Sequence, residues 1–324
     1  MNEYKKVLVI IPCYRASEQI NGVVEDLLLN QFKNILVVDD CCPDKSSSKI
    51  TSKKINVIKN KKNLGVGGAF ISGFKYAISN PKFKDIEFVA KIDADGQHRV
   101  KDLSLMICDI NDFDLDLVKG NRYALNRLPK NQGTIRKLGN SFLTFFTKLA
   151  SGSWHINDPV NGQFVSRKKT FDFLVFNNHL ENRFLFETSI LIEASKVGAK
   201  IKDCPNVVSY NSELSSLSPL KSIFEFSTFL LCSFIKRLFA QYFYPNINIG
   251  SFFIMSSVIF LSIGFIRGYF ALSLSISTGH ETENGILTII LLSILVGIIS
   301  LFAFLIIDQK TLEIDKPSIH RYLN

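Results

Sequence analysis

The sequence predicts an α/β fold with a mostly parallel sheet, followed by an amphipathic helix and two transmembrane helices. Short β-branched apolar runs alternate with helical patterns over the first two hundred or so residues, as in successive βαβ units. Two later stretches without a charge, 247–266 and 285–307, are each long enough to span a bilayer. We therefore expect a globular domain at 1–219, an amphipathic interface helix at 220–245, two transmembrane helices with a short external loop at 246–308, and a tail at 309–324.

The elements of the globular part follow from these patterns in chain order. The first strand, Val7–Ile11, is a continuous apolar run that Pro12 ends, as expected for a strand covered on both faces. Further strands are predicted at 35–38, 55–58, 88–92, 117–123 and 204–210, and helices at 18–29, 63–78, 140–150 and 183–197.

Acidic residues follow two of these strands. Asp39 and Asp40 end one strand, and Asp93 and Asp95 stand in the run D-A-D-G-Q-H that ends another. Ligands of open α/β sheets bind at the carboxyl ends of the strands, and carboxylate oxygens suit a hard cation such as Mg²⁺. The sequence therefore predicts a metal and diphosphate site at this edge, although a D-x-D pair by itself also fits two solvated aspartates.

A glycine-rich segment enters the second helix. Gly65, Gly67 and Gly68 do not form a dinucleotide-binding motif, because its third glycine would fall at Phe70 and the segment follows the third strand. The segment can still offer backbone N–H groups to an anion.

A basic loop follows the strand that ends in G-N-R-Y. Arg122 and Arg136 either belong to a solvated basic surface or clamp phosphate oxygens, which planar guanidinium groups bind well. The later segment N-D-P-V-N-G adds Asp158 as a third candidate acid of the site.

Composition narrows the cellular context. The formal charge is +9, but the basic residues are scattered and flank the apolar C-terminal part, which favours an anionic membrane surface or a polyanionic substrate over nucleic acid. The six cysteines show no C-x-x-C pair and no zinc-ligand spacing, so we interpret them as reduced thiols in the cytosol. The first apolar run is too short for a secretory signal.

The C-terminal part predicts membrane attachment. Apolar residues from Ile223 to Tyr242 share one helical stripe, which suits a bilayer interface, or otherwise packing on the globular domain. The loop 277–284 has acidic but no basic residues, so the positive-inside rule places both termini in the cytosol. Arg267 either ends the first span or lies inside the membrane.

Seven blocks in order resemble glycosyltransferase family 2, which has the GT-A fold, and within it the polyprenyl-phosphate glycosyltransferases. The blocks are I-P-C-Y-R-A-S-E (11–18), V-V-D-D-C-C-P-D (37–44), N-L-G-V-G-G-A (63–69), D-A-D-G-Q-H (93–98), G-N-R-Y (120–123), N-D-P-V-N-G (157–162) and F-L-F-E (184–187). The membrane-anchored branch of the family similarly carries spans after an amphipathic helix.

The resemblance implies roles for particular residues. The donor nucleotide would bind at Pro12, Tyr14, Glu18, Asp39, Asp40, Gly65, Asp93 and Ala94, and Mg²⁺ or Mn²⁺ at Asp93, Asp95 and Gln97. The acceptor phosphate would bind at Arg122 and Arg136, with Asp158 and Asp95 at the reacting centre. The segment 210–216 has no basic residue to assist, although Ser215 and Ser216 could donate hydrogen bonds to the phosphate.

These residues together predict an inverting transferase that moves one sugar from a UDP- or GDP-linked donor to undecaprenyl or a related polyprenyl phosphate at the cytosolic face of the cytoplasmic membrane. One alternative is transfer to a hydroxyl of a lipid-linked saccharide, which would require Asp158 or Glu187 as a base. Another is a non-catalytic membrane scaffold. The sequence leaves the sugar, the pathway and any homo-oligomer through the transmembrane helices open.

Overall fold

The structure is a computed structural model that describes residues 3–124, 134–177, 180–208, 219–245, 247–311, 318–321 and 323. The chain forms two units. One comprises residues 1–233 together with 316–324, and the other comprises residues 234–315.

A seven-stranded sheet forms the centre of the first unit, within the described residues. Its strands are β1 (Val7–Cys13), β2 (Asn34–Asp39), β3 (Asn56–Lys59), β4 (Phe88–Lys91), β5 (Leu117–Asn121), β6 (Phe164–Arg167) and β7 (Ile201–Pro205). They lie in the order β3-β2-β1-β4-β6-β5-β7, and all pairings are parallel except those of β6 with β4 and β5. The mostly parallel α/β prediction is therefore confirmed.

Helices cover both faces of this sheet. They are α1 (Ile20–Leu29), α2 (Gly65–Ile78), α3 (Val100–Asp112), α4 (Thr134–Ser151), α5 (Lys168–Asn177) and α6 (Phe186–Lys196). Every residue of β1 is buried, and its alternate side chains enter two separate hydrophobic clusters, one containing Val9 and the other Leu8. This burial explains why β1 is apolar without alternation.

Several elements differ from the sequence prediction. Helices α3 and α5 and strand β6 were not predicted, and β7 begins at Ile201 rather than at residue 204. β6 has only four residues, too few to show a period. β7 is an edge strand of the sheet, where Lys202 and Asp203 are tolerated, and these charges interrupt the apolar pattern.

The C-terminal segment 318–321 packs against the loop before β5. Asp116 is fully buried and accepts hydrogen bonds from the backbone N–H groups of Ile319 and His320, both at 2.9 Å, and contacts His320 Nδ1 at 2.8 Å. Arg321 pairs with Asp114 at 2.5 Å. These contacts make the end of the chain part of the first unit.

The second unit contains two long apolar helices. Helix α7 (Pro219–Leu238) leads into a π-helical turn at Phe239–Phe243, followed by α8 (Ile249–Thr278) and α9 (Asn284–Thr311). By length and composition, α8 and α9 could each cross a membrane. Helix α8 continues past Arg267 and does not end there.

Glycines bring α8 and α9 close together. A Cβ on Gly264 would lie 2.6 Å from Ile294 Cγ1, and one on Gly297 would lie 2.7 Å from Leu261 Cγ. Near the start of α8, the buried Asp308 of α9 pairs with Arg237 at 2.6 Å and accepts a hydrogen bond from the Tyr242 hydroxyl at 2.7 Å. This satisfied charge pair ties the π-helical turn to α9.

Candidate active site

A cavity of about 390 Å³ opens at the carboxyl ends of β1, β2 and β4. This edge of a parallel sheet is where α/β proteins bind ligands. Of the residues predicted to bind the donor or the metal, those lining the cavity are Pro12, Tyr14, Asp40, Gly65, Asp93, Ala94 and Asp95. The fold therefore brings together seven predicted residues from four separate sequence blocks.

Three other predicted residues lie elsewhere. Glu18 is exposed and does not line the cavity, whereas its neighbour Gln19 does. Asp39 accepts hydrogen bonds from Ser47 Oγ and the Cys42 N–H, so its carboxylate holds the loop after β2. Gln97 donates its backbone N–H to Asp95 Oδ1 at 3.0 Å, and its side chain is not among those that line the cavity.

Asp40 organises the glycine-rich entry to α2. Its carboxylate accepts the N–H groups of Leu64 at 2.9 Å and Gly65 at 2.8 Å, and the Asn60 amide at 2.8 Å. Gly65 has a φ of +82°, and a Cβ there would lie 2.7 Å from the Asn182 carbonyl oxygen, so only glycine fits. Asp40 thus shapes the cavity wall as well as lining it.

A fully buried lysine supports the first acid of the D-A-D run. Lys91 Nζ contacts Asp93 Oδ1 directly, lies 3.0 Å from Glu187 Oε1, and donates to the Gly162 carbonyl oxygen at 3.1 Å. Burial opposes ionisation of Asp93, but Lys91 and His98 together outweigh it and hold the pKa of Asp93 well below its usual range. Asp93 is therefore an anion.

Asp95, the second acid of the D-A-D run, lies in a less favourable electrostatic environment. Burial, and then the negative charge of Asp93, raise the pKa of Asp95 above its usual value. Two neighbouring carboxylates in one cavity would be relieved of this repulsion by a cation. The described residues contain no group of three or more His, Cys, Asp or Glu that could hold a metal. Two carboxylates nevertheless fit Mg²⁺, which binds through one or two of them and takes waters and substrate phosphates as its other ligands.

Arg122 and Asp158 form a second buried charge pair. Arg122 donates Nε and Nη2 to the two oxygens of Asp158, each at 2.7 Å, and its backbone N–H at 3.0 Å. Asn161 donates to the same carboxylate at 3.2 Å. Asp158 is fully buried, and although burial opposes its ionisation, Arg122 lowers its pKa below the usual value.

Gly162 connects the two charge pairs. It follows Asn161, which contacts Asp158, and its carbonyl oxygen accepts from Lys91. A Cβ on Gly162 would lie only 2.2 Å from Asp93 Oδ2. The N-D-P-V-N-G segment thus packs directly against the acid of the D-A-D run, which the sequence spacing alone does not reveal.

The other predicted acceptor residues are Arg136, Ser215 and Ser216, which lie outside the residues whose side chains the structure describes. Sequence reasoning, in turn, did not assign Arg15 and Arg183, two cations that line the same cavity as the acids. The position of Arg183 directly before F-L-F-E is the signal that could have identified it.

Comparisons with known proteins agree with this architecture. Residues 8–174 match the model of glycosyl transferase family 2. The chain is 31% identical over 176 residues to a UDP-N-acetylglucosamine–dolichyl-phosphate N-acetylglucosaminyltransferase of Methanococcus voltae, covering 49% of this chain and 68% of the relative. It is 30% identical to a dolichol-phosphate mannosyltransferase of Pyrococcus furiosus, covering 68% and 61%.

The fold also matches a solved structure of the GT-A type. Glucosyl-3-phosphoglycerate synthase from Mycobacterium tuberculosis, crystallised with Mg²⁺ and UDP, aligns with a TM-score of 0.51 at 12% identity, over 73% of this chain and 80% of that protein. The family match covers about half of the chain and includes the D-A-D, G-N-R-Y and N-D-P-V-N-G blocks. The chain belongs to glycosyltransferase family 2.

Proposed function

We propose that this protein transfers one sugar from a UDP- or GDP-linked donor to undecaprenyl phosphate or a related polyprenyl phosphate. The observation that carries the proposal is the packing of Gly162 against Asp93, because the same loop holds Asp158, which pairs with Arg122. A phosphate acceptor and a diphosphate donor need cationic groups near a metal-binding pair. The named relatives act on dolichyl phosphates, which supports the same acceptor class here.

The donor would lie in the cavity beyond β1, β2 and β4. Asp93 and Asp95 would hold Mg²⁺ or Mn²⁺, which stabilises the charge that develops on the leaving nucleoside diphosphate. Lys91 keeps Asp93 ionised and oriented, and Arg15 and Arg183 add positive charge to the same wall. The mouth of the cavity is therefore suited to a dianionic diphosphate.

The state of the acids favours a phosphate acceptor over a hydroxyl acceptor. Asp158 has a lowered pKa and accepts from Arg122 and Asn161, while Glu187 is paired with Lys91. A carboxylate with a low pKa is a weak general base, and a hydroxyl acceptor would need one. A polyprenyl phosphate is already ionised and requires only positioning and charge, which Arg122 can supply.

This chemistry predicts a single displacement with inversion at the anomeric carbon. The ionised phosphate oxygen attacks the anomeric carbon, and the bond to the nucleoside diphosphate breaks. A product with retained anomeric configuration would contradict the proposal.

Helices α7, α8 and α9 would attach the enzyme to the cytoplasmic membrane. Helix α7 exposes Leu231 and Ile235, as a helix lying at a bilayer interface would. The basic residues that flank α8 and α9 support, by the positive-inside rule, a cytosolic position for both termini and the catalytic domain. Helix α8 has 30 residues, about 45 Å, so Arg267 can lie near the outer boundary of the hydrocarbon.

The test is transfer of radiolabelled sugar from a panel of UDP- and GDP-sugars to undecaprenyl phosphate in detergent, with Mg²⁺, Mn²⁺ or EDTA. We expect a chloroform-soluble labelled lipid whose formation requires the metal and is lost in Asp95→Asn. Asp85→Asn, which removes an exposed carboxylate, is the matched control and should retain activity.

The other outcomes separate the alternatives. Metal-dependent hydrolysis of a donor without a labelled lipid would retain the donor site and direct attention to a lipid-linked saccharide as acceptor. No turnover of any donor by the wild-type protein would favour the non-catalytic scaffold.

A further inference from the structure

One partly buried carboxylate in the first unit touches neither the cavity nor Arg122. Asp203 on β7 uses its Oδ2 to accept the backbone N–H of Asn157 at 2.7 Å and the side-chain Nδ2 of Asn121 at 2.9 Å. Asn121 immediately precedes Arg122, and Asn157 immediately precedes Asp158. A single oxygen atom thus joins the two segments that carry the buried ion pair.

Further hydrogen bonds hold both segments at this junction. Asn121 is the last residue of β5, and its Oδ1 accepts the N–H of Tyr123 at 2.9 Å. Lys148 of α4 donates to Asn157 Oδ1 at 2.8 Å. β5 pairs with β7 in parallel, with Lys119 opposite Asp203, so the carboxylate reaches from the edge strand toward the end of its neighbour.

The second oxygen of Asp203 is poorly satisfied. Oδ1 is buried and has no hydrogen-bond partner among the residues that the structure describes. Leaving a buried polar atom without a partner destabilises a fold, so this side of the carboxylate opposes stability. A residue that is costly where it stands, and that contacts both ends of a functional pair, points to a role in positioning.

We propose that Asp203 is a positioning residue for the acceptor end of the site, which fixes the Arg122 and Asp158 segments relative to one another. The catalytic consequence rests on the proposed function, because it assumes that Arg122 meets the acceptor phosphate. The donor cavity is lined from the ends of β1, β2 and β4, and Asp203 is not among its lining residues.

The titration of Asp203 gives a further readout. Burial raises its pKa to about 7, with the charge of Asp158 adding to the rise and the Asn157 N–H, Lys119 and Lys148 opposing it. Protonation near neutral pH weakens the charge-assisted hydrogen bonds to Asn121 and Asn157. Asp203→Asn retains an accepting oxygen but no charge, so it should remove any component of the pH profile that Asp203 contributes.

The kinetic experiment compares Asp203→Ala, Asp203→Asn and wild type in the full-length protein. We expect kcat/KM for undecaprenyl phosphate to fall by about tenfold to a hundredfold in Asp203→Ala and less in Asp203→Asn, with the KM for the donor unchanged. Asp116→Asn is the matched control, since it alters a buried carboxylate at the opposite end of β5 and should reduce only stability. An equal fall in kcat/KM for the donor and for undecaprenyl phosphate, with the KM for the donor raised as well, would overturn the proposal.

Hydrogen–deuterium exchange tests the geometry without activity. Peptides containing Asn157 and Arg122 should exchange faster in Asp203→Ala, whereas peptides containing Asp40 and Asp95 should not. Unchanged exchange at Asn157 and Arg122 would refute the positioning role even in an active enzyme. If wild type transfers sugar to no polyprenyl phosphate, the proposed function fails, and the exchange result still decides whether Asp203 holds the pair.

Discussion

Adding one methyl group at Gly162 should impair the candidate metal site while leaving the fold intact. In Gly162→Ala the new Cβ would lie 2.2 Å from Asp93 Oδ2 and 3.1 Å from Lys91 Nζ. An ordinary carbon–oxygen contact is about 3.4 Å, so the carboxylate must move by about 1 Å. Lys91 and His98 both contact Asp93, so this movement disturbs their contacts as well.

The expected cost is large for catalysis and small for stability. A displacement of about 1 Å in a catalytic group lowers rates by about a hundredfold. We therefore expect kcat/KM to fall by about that factor in Gly162→Ala and the Mn²⁺ concentration for half-maximal activity to rise. Thermal unfolding should change little, because Asp93 is partly exposed and can move toward the cavity.

The assay is metal-dependent transfer to undecaprenyl phosphate, with Mn²⁺ binding in the presence of UDP measured separately by electron paramagnetic resonance. Gly22→Ala is the matched control, since a Cβ there meets nothing within 4 Å and helix α1 should be stabilised slightly. If Gly162→Ala retains wild-type activity and Mn²⁺ affinity, then the position of Asp93 is not what the reaction requires.

Three further predictions concern stability. Arg122→Ala leaves the buried Asp158 unpaired and should lower the free energy of unfolding by about 3–5 kcal/mol, with a smaller loss in Arg122→Lys. If denaturant titrations give Arg122→Ala and wild type the same stability, the pair does not stabilise the fold. Deleting residues 318–324 removes donors from the buried Asp116 and should cost about 2 kcal/mol or more, and an unchanged melting temperature would show that this contact does not stabilise the unit. Burial lowers the pKa of Lys119 to about 8, so between about pH 8 and pH 10.5 the unfolded chain binds more protons than the folded one. The free energy of unfolding of wild type should therefore rise with pH in that window, relative to that of Lys119→Met, by about 3 kcal/mol in total. Parallel curves of unfolding free energy against pH for the two proteins would refute the shift.

The acidic residues at strand ends can be predicted from the sequence because a strand and the residues that follow it are adjacent in the chain. Asp93 and Asp95 follow a buried apolar run, and any parallel sheet places such residues at its carboxyl edge. The grouping of Pro12, Asp40 and Asp93 in one cavity follows from the same rule, since their strands lie side by side. Local pattern was less informative for β6, whose four residues show no period and whose antiparallel direction depends on its neighbours.

The sequence by itself determined the α/β class, the edge of the sheet where the acids meet, and the two apolar helices. These features follow from the pattern of apolar and polar residues along short stretches of the chain. Only the tertiary structure decided how charges are paired across long separations. The packing of strands, helices and loops brings together Lys91 with Glu187, Arg122 with Asp158, and Asp203 with Asn121 and Asn157. A buried charge is stable only beside its partner, and which partner it meets is settled by topology rather than by spacing along the chain.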